Sequence, residues 1–147
     1  MVIVALYLTE AGVDMDLGLS GRTVMIVGGS RGMGFAAAEV LAAEGARLVL
    51  VARDQGGLDA AAKDLAERFG ADVLGLGADA SDGDALDRAV AEAGRRGFDI
   101  LGLIVAAGPM GSYGQVHTQD DDAFAFYYEN IFMIVTRACR AVLPTMM

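Results

Sequence analysis

Tryptophan is absent from this sequence of 147 residues, proline occurs twice, and cysteine, histidine and lysine occur once each. A lone cysteine, Cys139, rules out a disulfide framework and fits a reducing compartment, where it serves as a small apolar residue of a helix. A lone histidine, His117, lies in loop-like sequence with no second ligand beside it, so no metal site is expected. Basic residues are scarce: 11 Lys and Arg stand against 20 Asp and Glu, for a net charge of −9. Nucleic acid and anionic membrane surfaces demand the opposite balance, so neither is expected as a partner. No apolar run approaches the roughly 18–20 residues that span a bilayer. The apolar start, Met1 to Leu8, is short and lacks the basic opening and small-residue cleavage pattern of a secretory signal. The expected location is cytoplasmic.

What remains is 54% apolar and 21% charged, a composition that folds and, at this length, buries the core of one domain. Its most specific feature is the run Val27-Gly28-Gly29-Ser30-Arg31-Gly32-Met33-Gly34. An apolar strand, Thr23 to Val27, feeds this turn, and an alanine-rich helix, Gly32 to Gly45, follows it. Glycine serves a different purpose at each place. Gly28 lets the chain reverse tightly, Gly32 lets backbone approach a pyrophosphate, and Gly34 lets the helix pack close to the strand. The first helical turn then offers unpaired N–H groups and a positive dipole end to phosphate. Gly28, Ser30, Arg31, Gly32, Met33 and Gly34 are therefore candidate dinucleotide-binding residues.

Arg47 to Ala52 is almost continuously apolar, the mark of a strand buried on both faces of a parallel sheet. Leu58 to Phe69 reads as an amphipathic helix closed by Gly70. A third strand, Asp72 to Leu76, a third helix, Asp82 to Ala93, and a fourth strand, Ile100 to Ala106, come next. The loop Gly108 to Gln119 leads into a last helix, Ala123 to Leu143, expected to stop before Pro144. This alternation predicts an α/β fold, a doubly wound Rossmann-like parallel sheet of strand order 3-2-1-4. A nucleotide would lie at the switch between strands 1 and 4. The end of the second strand selects which one. Arg53 can fork onto a 2′-phosphate with Arg31 on the same side, which favours NADP. The alternative is NAD, with Asp54 accepting from the ribose 2′-OH.

Two further stretches, Met15 to Val24 and Arg140 to Met146, carry a likeness together with the glycine turn. From Met15 to Met147 the sequence resembles the first half of a short-chain dehydrogenase/reductase. Residues 1–14 fall outside the likeness and are expected to be an extension that is not part of the domain. The family's Thr-Gly-x-x-x-Gly-x-Gly motif falls on Val27, Gly28, Gly32 and Gly34, with valine replacing a threonine whose hydroxyl ties the turn to the sheet. In that family, basic residues at the positions of Arg31 and Arg53 mark NADP users. Asp79 matches an aspartate that meets the adenine amino group, although a helix-capping role is open to it as well. Ala107 and Gly108 match the end of an Asn-Asn-Ala-Gly pattern whose two asparagines are missing here. The stretch from Asp99 to Gly108 is longer than the family pattern. Asn130 matches the helix asparagine of the family's catalytic tetrad, and a polar side chain in an apolar helix calls for a partner.

The resemblance implies hydride transfer between a nicotinamide and an alcohol or carbonyl. It also implies a serine and a Tyr-x-x-x-Lys pair whose tyrosine donates the proton, its pKa lowered by the lysine. Those residues would fall after Met147, and nothing replaces them. Lys63 is the only lysine, and none of Tyr113, Tyr127 and Tyr128 has a lysine four residues on. The expectation is an NADP(H)-binding portion of an oxidoreductase, inactive alone, taking a small carbonyl or alcohol only when completed. The alternative is a naturally short, non-catalytic dinucleotide-binding module or a remnant. An unpaired fourth strand and an apolar last helix predict a homo-oligomer.

Overall fold

The computed structural model describes residues 17–109 and 114–147; the expected extension 1–14 and Tyr113 lie outside them. Strands β1, Thr23–Val27, and β2, Arg47–Ala52, form the centre of the sheet. β3, Val73–Gly77, and β4, Ile100–Val105, flank them in the order β3-β2-β1-β4, all parallel. This is the expected order. Side chains alternate across a strand, so Val24, Ile26, Leu48 and Leu50 face one way while Met25, Val27, Val49 and Val51 face the other; all eight are buried.

Helices cover both faces, which is why the central strands are apolar throughout. On the first face lie α1, Gly32–Ala43, through Ala38 and Ala42, and α2, Gln55–Phe69, through Leu58, Ala61 and Leu65. On the second lie α3, Gly83–Arg95, through Leu86, Ala89, Val90 and Ala93, and the final helix through Ile134, Ala138, Ala141 and Val142. At the opposite end of the sheet from the glycine turn, Arg47 ties three segments together. It pairs with Asp72 at 2.7 Å, donates to the Gly97 carbonyl at 2.7 Å and lies 4.1 Å above the Phe98 ring.

Three details depart from the sequence-based expectation. α2 begins at Gln55 rather than Leu58, because Asp54 caps it and holds the poor helix formers Gly56 and Gly57 in the first turn. The last helix is not one α-helix ending before Pro144. It runs as α4, Asp121–Tyr127, a π-helical turn, Tyr128–Phe132, and α5, Met133–Met146, which carries Pro144 inside its final turn. A proline there forfeits only a bond near an exposed end, and the Thr145 hydroxyl donates to the Val142 carbonyl at 2.8 Å. The surplus residue between Asp99 and Gly108 is absorbed as a bulge. Thr23 pairs with Ile100 but Val24 with Gly102, leaving Leu101 turned outward and 54% exposed. Among the described residues, β4 pairs with β1 alone.

Candidate functional site

Parallel strands place their C-terminal ends along one edge, and here Val27 sits beside Val51 and Val105, with Val51 beside Leu76. Each candidate cofactor residue follows one of these ends. The glycine turn follows β1, Arg53 follows β2, Asp79 follows β3, and Ala107 and Gly108 follow β4.

The glycines of the turn meet different demands. Gly28 has φ +88°, and a Cβ there would lie 2.7 Å from the carbonyl carbon of Ala106 and the nitrogen of Ala107. The ends of β1 and β4 are thus in backbone contact, which the small residues Ala106 and Ala107 allow. A Cβ on Gly34 would run into the Gly28 carbonyl and crowd Ala106, so the helix can start this close to the strand only with glycine. Gly32 has φ +58° and open space above it. Sequence reasoning passed over Gly29. A Cβ there would lie 2.9 Å from Leu50 and 3.0 Å from the Ile26 carbonyl, a constraint set by packing that spacing alone does not reveal. The N–H groups of Gly28 and Gly29 donate to the Val51 carbonyl at 2.7 and 3.4 Å, so backbone ties this turn to the sheet although Val27 has no hydroxyl.

Helix N-termini need partners for their free N–H groups. Asp54 supplies one for α2, Asp82 accepts from Asp84 and Ala85 for α3, and Asp120 accepts from Ala123 for α4. α1 differs. Arg31 holds its N-cap position with no side-chain cap, and Arg31, Gly32 and Met33 are exposed, Met33 at 72%. Ser30 is half-buried, and Gly57 brings the start of α2 against it: a Cβ on Gly57 would lie 3.8 Å from that of Ser30.

Arg53 is exposed and makes no ion pair among the described residues. Asp79 accepts from the Ser81 N–H at 2.9 Å and from its hydroxyl at 2.8 Å. Those two bonds, the backbone one first, hold its carboxyl below the usual carboxylate range; slight burial opposes them, and the positive charge of Arg53 assists. Asp79 is therefore a charged carboxylate near Arg53, and the cap of α3 is Asp82. Asp54, in turn, is engaged as the cap of α2.

Asn130 stands apart from this cluster, in the middle of the π turn. It is half-buried, and its side-chain amide donates to the Phe126 carbonyl at 2.9 Å. π-turns of this kind concentrate at functional sites. Among the described residues there is no group of three or more His, Cys, Asp and Glu able to hold a metal, and no helix long and apolar enough to cross a membrane.

A parallel 3-2-1-4 sheet, entered by a glycine turn that opens an uncapped helix, defines the doubly wound Rossmann-like class of α/β proteins. Within that class the family is definite. The model of the short chain dehydrogenases matches residues 22–147, and the chain belongs to that family. It is 34% identical to a 3-oxoacyl-[acyl-carrier-protein] reductase of Bos taurus over 125 residues, 85% of this chain and 51% of the relative. It is 38% identical to 3-dehydrosphinganine reductase TSC10A of Arabidopsis thaliana over 76 residues, 52% of this chain and 23% of the relative. Among solved structures, L-sorbose reductase from Gluconobacter frateurii, complexed with NADPH and L-sorbose, is similar at 36% identity and TM-score 0.79. That match covers 90% of this chain and 50% of the reductase. The chain thus spans about half the length of two of these relatives and under a quarter of the third.

Proposed function

We propose that this chain is the NADP(H)-binding portion of an oxidoreductase that moves hydride between nicotinamide and an alcohol or carbonyl. The observation that carries this reading is the start of α1. Three other helices satisfy their first N–H groups with an aspartate, while α1 presents Arg31, an open Gly32 and, among the described residues, N–H groups with no side-chain cap at the edge where all four strands end. An anion completes such a terminus through hydrogen bonds and the helix dipole. The pyrophosphate would rest on Ser30 to Gly34, with Gly28 shaping the turn beneath it. The flat surface of Ala107 and Gly108 would lie against the nicotinamide ribose, and Asp79 would meet the adenine amino group.

The 2′-phosphate would fall between Arg31 and Arg53. Residue chemistry supports NADP over NAD here: Arg53 makes no ion pair among the described residues, while one carboxylate oxygen of Asp54 is already engaged in the α2 cap. The similar L-sorbose reductase is an NADPH complex. Bound NADP(H) supplies the hydride; Asn130 would take part as one member of a catalytic tetrad. The serine and the Tyr-x-x-x-Lys pair are not among these 147 residues, so the chain by itself binds without turning over. A small carbonyl or alcohol is the substrate of the completed enzyme. A non-catalytic dinucleotide-binding module would share the same site and differ only in never supporting turnover. The outward-facing Phe124, Tyr128, Ile131, Phe132 and Val135, together with the lone edge of β4, support a homo-oligomer. A cytoplasmic setting fits the free thiol of Cys139. Calorimetric titration of the chain with NADP and NAD tests the reading; absence of binding by both defeats it.

A further inference from the structure

We propose that the ion pair between Glu129 and Arg137 is a clamp that selects the π register of the last helix and so positions Asn130; it rests on the reading of Asn130 as a site residue. Arg137 Nη2 lies 2.9 Å from Glu129 Oε2, with the two residues eight positions apart on one helix. Ion pairs that hold helices join residues three or four apart. Over eight residues an unbroken α-helix turns about 80° past two full turns and advances about 12 Å, so the two side chains point in different directions.

Glu129 lies within the π turn Tyr128–Phe132 and Arg137 beyond it, and at the end of that turn the Met133 N–H reaches back five residues to the Tyr128 carbonyl. One residue inserted into the ladder takes back about 100° of rotation. Positions 129 and 137 then stand as residues seven apart do, on one face, two turns from each other. The pair is in phase in the π register and out of phase in the α register.

Arg137 is well placed to enforce that choice. Its side chain is only 21% exposed, and its Cγ and Cδ pack over Gly83 at the first turn of α3. The guanidinium is therefore anchored to a neighbouring helix, and Glu129 must come to it. The Tyr128 and Phe132 rings stack at 5.3 Å across the same turn. From within this widened turn the Asn130 amide donates back to the Phe126 carbonyl of α4. Conversion to continuous α-helix would swing everything before the turn by about 100° relative to α5. Glu129 and Arg137 are thus positioning residues that touch no cofactor.

The test is amide hydrogen exchange by NMR on the full chain, comparing the unsubstituted protein with Arg137→Met, Glu129→Gln and Arg137→Lys. The first two are expected to speed exchange at residues 130–134 about twofold to fivefold and to shift the Asn130 side-chain amide resonances, with the sheet amides unchanged. Arg137→Lys, which keeps charge and methylenes, is expected to stay within about twofold of the unsubstituted chain. Unchanged exchange in both loss variants overturns the clamp, as does acceleration spread evenly over sheet and helix. NADP titration of the unsubstituted chain runs alongside. A failure to bind defeats the functional reading while leaving the exchange result to judge the clamp.

Discussion

Replacing Arg53 with alanine tests the proposal that this residue separates NADP from NAD. Arg53 is exposed and makes no ion pair among the described residues, so its removal breaks no ion pair of the free protein. A hydrogen bond to a charged group contributes about 1.5–3 kcal/mol, and solvent exposure places this one toward the lower end. At about 1.4 kcal/mol per factor of ten, NADP should bind roughly tenfold more weakly to Arg53→Ala, with about 100-fold as the upper bound. NAD, which has no 2′-phosphate, should change by less than about twofold by the same arithmetic. The preference should also shrink with added salt, because screening of exposed charges shortens to about 3 Å at 1 M ionic strength. Titration calorimetry with both dinucleotides, at low and high salt, reads all three effects. Asp54→Ala serves as the counterpart: it should cost about 1 kcal/mol of stability through the lost helix cap, without altering selectivity. Unchanged NADP affinity in Arg53→Ala, or equal losses for both dinucleotides, would refute the assignment. Loss of NAD binding in Asp54→Ala, with NAD the tighter ligand of the unsubstituted chain, would move the specificity to Asp54.

Gly34→Ala forces a methyl group against the Gly28 carbonyl and should cost about 1–3 kcal/mol in urea unfolding. Gly94→Ala, helical with nothing within 4 Å, should instead stabilise by up to about 1 kcal/mol; equal effects would mean that the turn is not closely packed. The purified chain should not oxidise NADPH in the presence of aldehydes, ketones or quinones, since loss of one acid–base residue alone removes about 10²–10⁴-fold. A rate on the order of 1 s⁻¹ would show that the catalytic assignment is mistaken. Light scattering at micromolar concentration should report self-association driven by Phe124, Tyr128, Ile131, Phe132 and Val135. A clean monomer contradicts that expectation.

Features set by local chemistry are legible in the sequence. The apolar runs of β1 and β2, the Gly70 cap at φ +65° and the order of the sheet follow from burial, handedness and backbone freedom. Features set by competition between neighbours are not. Periodicity could not show that Asp54 would rescue Gly56 and Gly57 for α2, nor that Asp82 rather than Asp79 would cap α3. The bulge at Leu101 was visible only as surplus length. The π turn could not be read from composition, because inserting one residue shifts the helix phase while leaving the residue types unchanged. The same holds for the candidate site. Glycine positions could be read from spacing, whereas the demand on Gly29 arises from Leu50 and Ile26, partners that no local motif contains.

The uncapped start of α1 has a consequence for the life of the protein in a cell. A missing helix cap typically costs about 1 kcal/mol, so the free chain forgoes that stability where its ligand would sit. A bound phosphate would serve as the absent cap and couple folding to ligand supply, adding about 2.7 kcal/mol when its concentration reaches 100 times the dissociation constant. Differences of 1–2 kcal/mol change steady-state abundance several-fold, because quality control degrades the unfolded fraction. Under that coupling, the quantity of this protein would follow the dinucleotide pool, through survival of the folded chain, with no change in its synthesis.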